Sequence, residues 1–197
     1  MCVQSPWEKA LEFHGHVCPG LVVGFRAAEV GLRELGLDPA GARSADLICV
    51  VENRACAVDA VQAVTGCTLG KANLVVADHG KHVYTFARRE AGGEAVRVAL
   101  IAAGLALEEL RALQEKALTE PGEENQKAFV RKREEISDRL MEMPETDLFQ
   151  VRRVTVEPPA RQRVKCLAVC SRCGEYVFED RATKKDGRVF CPPCAVE

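Results

Sequence analysis

No stretch of about eighteen apolar residues occurs in this chain, so nothing in it reads as a membrane-spanning helix and no membrane partner is expected. The opening, Met1-Cys2-Val3-Gln4-Ser5-Pro6-Trp7-Glu8, has neither the basic nor the apolar part of a signal peptide. A surplus of one charge is missing too. The net charge is −2 and the pI near 6.1, which argues against a protein built mainly to coat nucleic acid. There is no internal repeat. What the chain does have is cysteine, ten of them, and without an export signal these point to a reducing compartment, the cytoplasm, and to metal or thiol chemistry. At 197 residues and 47% hydrophobic content, the chain can bury one ordinary core and carry a small appendage.

The appendage is the C-terminal tail. Cys170-Ser171-Arg172-Cys173 and Cys191-Pro192-Pro193-Cys194 are two CxxC knuckles separated by seventeen residues. Each knuckle converges two sulfurs from one tight turn, and two knuckles supply the four-sulfur tetrahedral shell that Zn2+ favours. Gly174 to Phe190 is too short and polar to form its own core, so the metal would supply much of the folding free energy. A disulfide pair would need a secreted chain. The domain reading is therefore a core over residues 1–158 and a four-cysteine zinc finger over 159–197, joined by a stiff Pro158-Pro159 linker.

Along the core, Ser5-Pro6-Trp7-Glu8 is a capping box for a first helix that stops at Gly15. Leu21, Val22, Phe25, Ala28, Leu32 and Leu35 lie at helical spacing behind Pro19 and predict a second helix ending at Gly36. A strand is expected over 45–51 and a third helix over 56–64. Two strands, 73–77 and 83–88, flank a turn at Asp78-His79-Gly80-Lys81, and a further strand is expected over 96–101. Amphipathic helices follow over 104–118 and 125–141, then a strand over 148–156. Without a regular βαβ alternation the fold class is α+β, helices packed on a sheet, plus the small finger.

The front of the chain carries the second cluster of metal-type residues, His14-Gly15-His16-Val17-Cys18-Pro19-Gly20. Alternate residues of an extended segment point the same way, so His14, His16 and Cys18 can face one site. Pro19 puts Cys18 near a helix N-cap, where free N–H groups and the helix dipole favour a thiolate. Such a group is either a soft-metal ligand set or an activated nucleophile. The bland alternative is a small buried thiol beside helix-capping histidines; three such residues between two helix ends favour a site. Further on, Cys56, Asp59 and Gln62 share one helix face, and Cys67 just past Gly66 reads as a turn residue outside the core. Cys49 reads as core filler, Cys2 as part of a frayed terminus and Cys166 as a spare thiol.

HGHVCPG before a helix, then Asn53, Cys56, Asp59-Ala60-Val61-Gln62 and Gly66-Cys67-Thr68-Leu69-Gly70-Lys71, then Asp78-His79-Gly80-Lys81, resembles the E-subunit family of formylmethanofuran dehydrogenase. The resemblance extends over Pro144 to Val156 and the closing finger. It implies an α+β core, a treble-clef finger, a homodimer and a metal-binding cleft in the core. Carried onto this chain, it implies His14, His16, Cys18, Cys56 and Cys67 as metal-site residues around a second transition metal, zinc being the expected one. Cys18 and Asp59 then become the candidate catalytic residues, Asp59 as acid/base. His79 departs from the pattern, standing where an aromatic such as tyrosine is expected.

The family takes its name from an enzyme that fixes CO2 on methanofuran with a molybdenum or tungsten pterin. This chain has no room for a pterin-binding domain. The expected role is therefore accessory or catalytic in one-carbon or molybdenum/tungsten enzyme metabolism, with such an enzyme as a candidate partner. The alternative is a regulator or adaptor whose finger binds nucleic acid or protein. Arg161 to Arg188 carries eight Lys/Arg against four Asp/Glu, but no helix rich in base-reading side chains, so nucleic acid is disfavoured.

Overall fold

The structure is a computed structural model that describes residues 4–39, 46–89, 93–157 and 165–196. Cys2 and the Pro158-Pro159 linker lie outside the described residues. The chain divides into two compact units, Met1–Pro159 and Ala160–Glu197. No helix among the described residues is long and apolar enough to cross a membrane.

The first unit runs α1 (Pro6–His14), α2 (Pro19–Glu34), β1 (Leu47–Val51), α3 (Ala57–Thr65), β2 (Leu74–Val76), β3 (Val83–Arg88) and β4 (Glu94–Leu100). It continues through α4 (Leu107–Thr119), α5 (Glu123–Glu142), the one-turn α6 (Glu145–Leu148) and β5 (Phe149–Thr155). The five strands form one mixed sheet in the order β2-β1-β3-β4-β5, with only β1 and β2 parallel. The two strands expected on either side of residues 78–81 are present as β2 and β3, but they are not neighbours: β1 lies between them. The reason is long-range: α3 is the crossover that a parallel β1–β2 pair requires, and β3 then pairs with the free side of β1. The fold is α+β, as the sequence implies.

Local signals set the helix ends. Ser5 Oγ accepts from Glu8 N–H at 3.2 Å while the Glu8 carboxylate accepts from Ser5 N–H at 2.7 Å, the reciprocal bonds of a capping box. α1 stops because Gly15 takes a left-handed φ of 89°, which turns the chain toward α2. Leu21, Val22, Phe25, Ala28 and Leu32 are buried, so the apolar stripe of α2 is the centre of the core. α2 packs on α3, on β3 and β4, and on α5.

Two glycines make this packing close. A Cβ on Gly24 would stand 2.1 Å from Ala57 O, and one on Gly31 would stand 2.1 Å from the Phe86 ring. At Gly24 the two helix backbones meet directly. On the other side Arg26 donates to the carbonyls of Leu140, Met141 and Met143, closing the C-terminal end of α5.

The second unit holds two small hairpins, β6 (Leu167–Val169) with β7 (Tyr176–Phe178) and β8 (Thr183–Lys185) with β9 (Arg188–Phe190), and a final turn of helix α7 (Pro192–Ala195). Its hydrophobic core is minimal: Cys170 and Val177 are its buried apolar residues among those described.

Candidate metal centres

In the second unit the sulfurs of Cys170, Cys173, Cys191 and Cys194 all lie within 4.8 Å of one another. Cys170 and Cys173 form a knuckle closed by Gly174 N–H to Cys170 O at 3.0 Å; Cys191 caps α7 and Cys194 lies in its first turn. Cys173 Sγ and Cys191 Sγ are 3.9 Å apart. Two sulfurs about 2.3 Å from one tetrahedral ion would be about 3.8 Å apart, so the spacing fits a metal. The charge pattern fits as well. N–H groups of Cys173, Cys191 and Arg172 hold the Cys170 thiol down to about 6, whereas the crowding of Cys191 pushes Cys194 up to about 12. Four such sulfurs ionise together only around a cation.

The front cluster also converges. His14 is the last residue of α1, Cys18 is the N-cap of α2, and the turn between them carries His16. One donor atom from each of His14, His16 and Cys18 lies within 4.8 Å of the others. His14 Nε2 is 3.6 Å from Cys18 Sγ, and the two histidine rings are 4.6 Å apart. A nitrogen at about 2.0 Å and a sulfur at about 2.3 Å from a tetrahedral ion would be about 3.5 Å apart.

The other ring nitrogen, His14 Nδ1, pairs with Asp59 Oδ2 at 2.7 Å. Donation from Nδ1–H to the carboxylate leaves the Nε2 lone pair facing Cys18, the arrangement of a carboxylate-supported metal-binding imidazole. His14 is nearly enclosed, its side chain 10% exposed, while His16 is exposed and leaves the group open on its side.

Cys18 departs from expectation. Its sulfur does accept the Leu21 N–H at 3.4 Å, as a helix cap should. Burial nevertheless outweighs this, and with the adjacent Cys56 thiol it pushes the Cys18 pKa up rather than down. The helix start alone does not make a thiolate here. A cation would.

Cys56 stands beside this group: it precedes α3, and a Cβ on Gly20 would be 3.1 Å from its Cβ. Cys67 does not share that place. It lies at the other end of α3, is fully buried, and donates to Leu47 O at 3.3 Å, so it is a core residue rather than an exposed turn residue. The nine residues of α3 keep Cys56 and Cys67 about 13 Å apart along the axis, so Cys67 does not join Cys56 beside the His14–Cys18 group. Cys67 instead adjoins buried Cys49, whose pKa burial raises well above the usual thiol value.

Asn53 is buried in the turn before α3, its Oδ1 accepting from Ala55 N–H at 3.0 Å and its Nδ2 donating to Lys81 O at 2.7 Å. It thereby ties the Cys56 turn to the 78–81 loop. His79 is exposed in that loop, while His82 Nδ1 and the Tyr84 hydroxyl share a hydrogen bond at 2.9 Å, burial keeping the His82 pKa low.

Residues 13–150, from the end of α1 to the start of β5, match the model of the family described as FmdE, Molybdenum formylmethanofuran dehydrogenase operon. The chain belongs to the FmdE family. The crystal structure of a tungsten formylmethanofuran dehydrogenase FmdE-like protein from Syntrophus aciditrophicus shares the fold at a TM-score of 0.59. The likeness covers 99% of this chain and 97% of that one, at 22% identity. A curated relative from Archaeoglobus fulgidus, named a probable S-adenosyl-L-methionine-binding protein, is 34% identical over 194 residues. That alignment takes in 95% of this chain and 51% of the relative, so the chain spans about half that protein's length.

Sequence reasoning missed two residues in the surroundings of the His14–His16–Cys18 group. Gly24, which lets α2 and α3 touch, has no signature separating it from other helical glycines. Arg133 belongs to a helix more than a hundred residues away in sequence, yet its charge reaches His16.

Proposed function

We propose that the chain is a metalloprotein with two centres of different purpose. The finger holds a structural zinc on Cys170, Cys173, Cys191 and Cys194. The core unit holds a mononuclear transition-metal ion, zinc being the expected one, on His14, His16 and Cys18, with Cys56 as the nearest further donor. The approach of His14 Nε2 to Cys18 Sγ, with Nδ1 engaged by Asp59, carries this reading. When bound, such an ion supplies Lewis acidity toward a molecule entering from the open side.

The protein's own residues do the rest. Asp59, rather than acting first as acid/base, holds the proton on His14 Nδ1 and fixes the ring. The raised Cys18 pKa favours the ligand role over that of a free nucleophile, because an unassisted thiol there stays protonated near neutral pH. Family membership supports a role beside a molybdenum or tungsten enzyme in one-carbon metabolism, accessory or catalytic.

The test is metal stoichiometry on the full chain. The parent should carry two ions, and Cys18→Ser should carry one, with core affinity for Co2+ or Zn2+ falling at least about tenfold. Cys49→Ser should keep two. Core affinity should rise about tenfold per pH unit around neutrality, since each ion displaces one proton from Cys18, whose pKa is raised above the usual thiol value. A Cys18→Ser protein that binds two ions as tightly as the parent rejects the core centre.

We also propose a homodimer, in keeping with the family resemblance. The α5 stripe that suggests an interface in the sequence is partly used up: Ile136 and Leu140 are buried within the unit, and Phe129 and Val130 are half-covered. Leu107 and Leu118 on α4 are the apolar residues left exposed nearby. Sedimentation equilibrium at micromolar concentration should give twice the chain mass; a monomer rejects the proposal.

A further inference from the structure

Arg133 stands on α5, and burial, His14 and the Arg133 charge together lower the His16 pKa, in that order of weight. The Arg26 bonds to Leu140 and Met141 set the alignment of the two helices. Seven residues before Leu140 is Arg133, and seven before Arg26 is Pro19, the first residue of α2. At about 1.5 Å per residue both positions lie about 10 Å from the Arg26 clamp. Arg33, seven residues after Arg26, pairs with Glu145, five residues after Leu140, so α5 runs the same way as α2 and Arg133 comes to the level of the start of α2.

Arg133 Nε is buried and has no hydrogen-bond partner among the described residues, and it is the one side-chain nitrogen or oxygen in that state among them. The guanidinium lies over the Phe129 ring, 5.6 Å from its centroid, and makes no ion pair with a described residue. Ser137 Oγ, one turn on, donates to the Arg133 carbonyl and leaves the side chain alone. A buried N–H without a partner costs free energy that a ligand can return. Nε–H and the adjacent Nη–H are parallel donors, spaced for two oxygens of one planar group. Stacking on Phe129 holds that fork in place.

We propose that Arg133 is a substrate-binding residue that takes a carboxylate side-on through Nε and one Nη, presenting it to the His14–His16–Cys18 site. The proposal rests on the metal-centre reading above and names its substrate class. A carboxylate fits better than a tetrahedral anion because its two oxygens lie in one plane, like the Nε–H and Nη–H donors, and a small rotation of the half-buried Arg133 side chain opens that edge to them.

The test uses the full chain in two forms. Loaded with Co2+, the parent should show a saturable change in the visible absorption of the core ion on titration with acetate, and a weaker one with inorganic phosphate. Arg133→Met should bind Co2+ as the parent does and acetate at least about tenfold more weakly. Arg133→Lys, which keeps the charge and loses the fork, should fall between the two. Without metal, the parent's Arg133 Nε–H resonance should still move on addition of acetate, so a chain that binds no Co2+ overturns the metal reading while leaving this signal to judge Arg133. The proposal is overturned if acetate moves neither signal, if Arg133→Met binds acetate as tightly as the parent, or if phosphate binds more tightly than acetate.

Discussion

Replacing Cys173 with Ser should release about one metal ion per chain and unfold the finger over residues 165–196, while the core unit melts at its parental temperature. The finger buries almost no apolar surface; its hairpins are three residues per strand, and Cys170 and Val177 are its buried apolar residues among those described. A structure of that size lacks the core needed to offset its chain entropy. In zinc-finger peptides the bound ion contributes roughly 10–16 kcal/mol, which is the folding free energy itself. Loss of one sulfur removes most of it. The core unit has its own hydrophobic cluster, from Ala10 to Phe149, and depends on none of these sulfurs. Metal analysis together with hydrogen exchange separates the outcomes. Exchange that speeds up in α2 and β3 as well as in the finger would reject the independence of the two units.

Gly24→Ala should be the most damaging single methyl in the core, lowering stability by about 3 kcal/mol or more. The new Cβ would stand 2.1 Å from Ala57 O and 2.6 Å from Ala57 Cα. Those are backbone atoms, so no rotamer change relieves the overlap, and α3 must move away from α2. Cys18 leads α2, while Cys56 and Asp59 belong to the start of α3, so the same displacement should loosen the Asp59–His14 contact and weaken core metal binding without touching a donor. Gly70→Ala is the control. A Cβ there meets nothing within 4 Å, and its effect should stay within about 0.5 kcal/mol. Equal melting of the two variants would show that the helices can separate at little cost.

The parts of this protein that were legible in the sequence are those whose cause is local. Ser5, Glu8 and Gly15 fix α1 by bonds within a few residues, and Pro19 announces α2. The finger cysteines and the His14–Cys18 run carry their chemistry in their spacing. What was not legible depends on residues far away. The place of β1 between β2 and β3 is decided by pairing across the sheet, which residues 78–81 do not reveal. Cys67 looks exposed because a glycine precedes it, yet Asn73 and Leu47 close over the turn: Asn73 Oδ1 accepts from Thr68 N–H, and Leu47 O accepts from both Cys67 and Asn73. The rise in the Cys18 pKa likewise comes from the packing that buries it, against a helix-start effect that the sequence does show. Arg133 is the extreme case, an ordinary charged residue of an amphipathic helix until α5 docks on α2.

The three proposed core donors, His14, His16 and Cys18, are separated from one another by single residues. A flexible pentapeptide with those side chains can already wrap an ion before any sheet exists, so the denatured chain keeps part of the affinity. Linkage counts only the difference between the two states. Excess metal should therefore raise the melting temperature of the core unit far less than its binding constant suggests. The finger should behave in the opposite way, because its two cysteine pairs, seventeen residues apart, come together only when the unit has folded. On the proposed metal reading, the same asymmetry would let the His14–Cys18 run take up its ion during synthesis before α3 arrives with Asp59 to lock the ring.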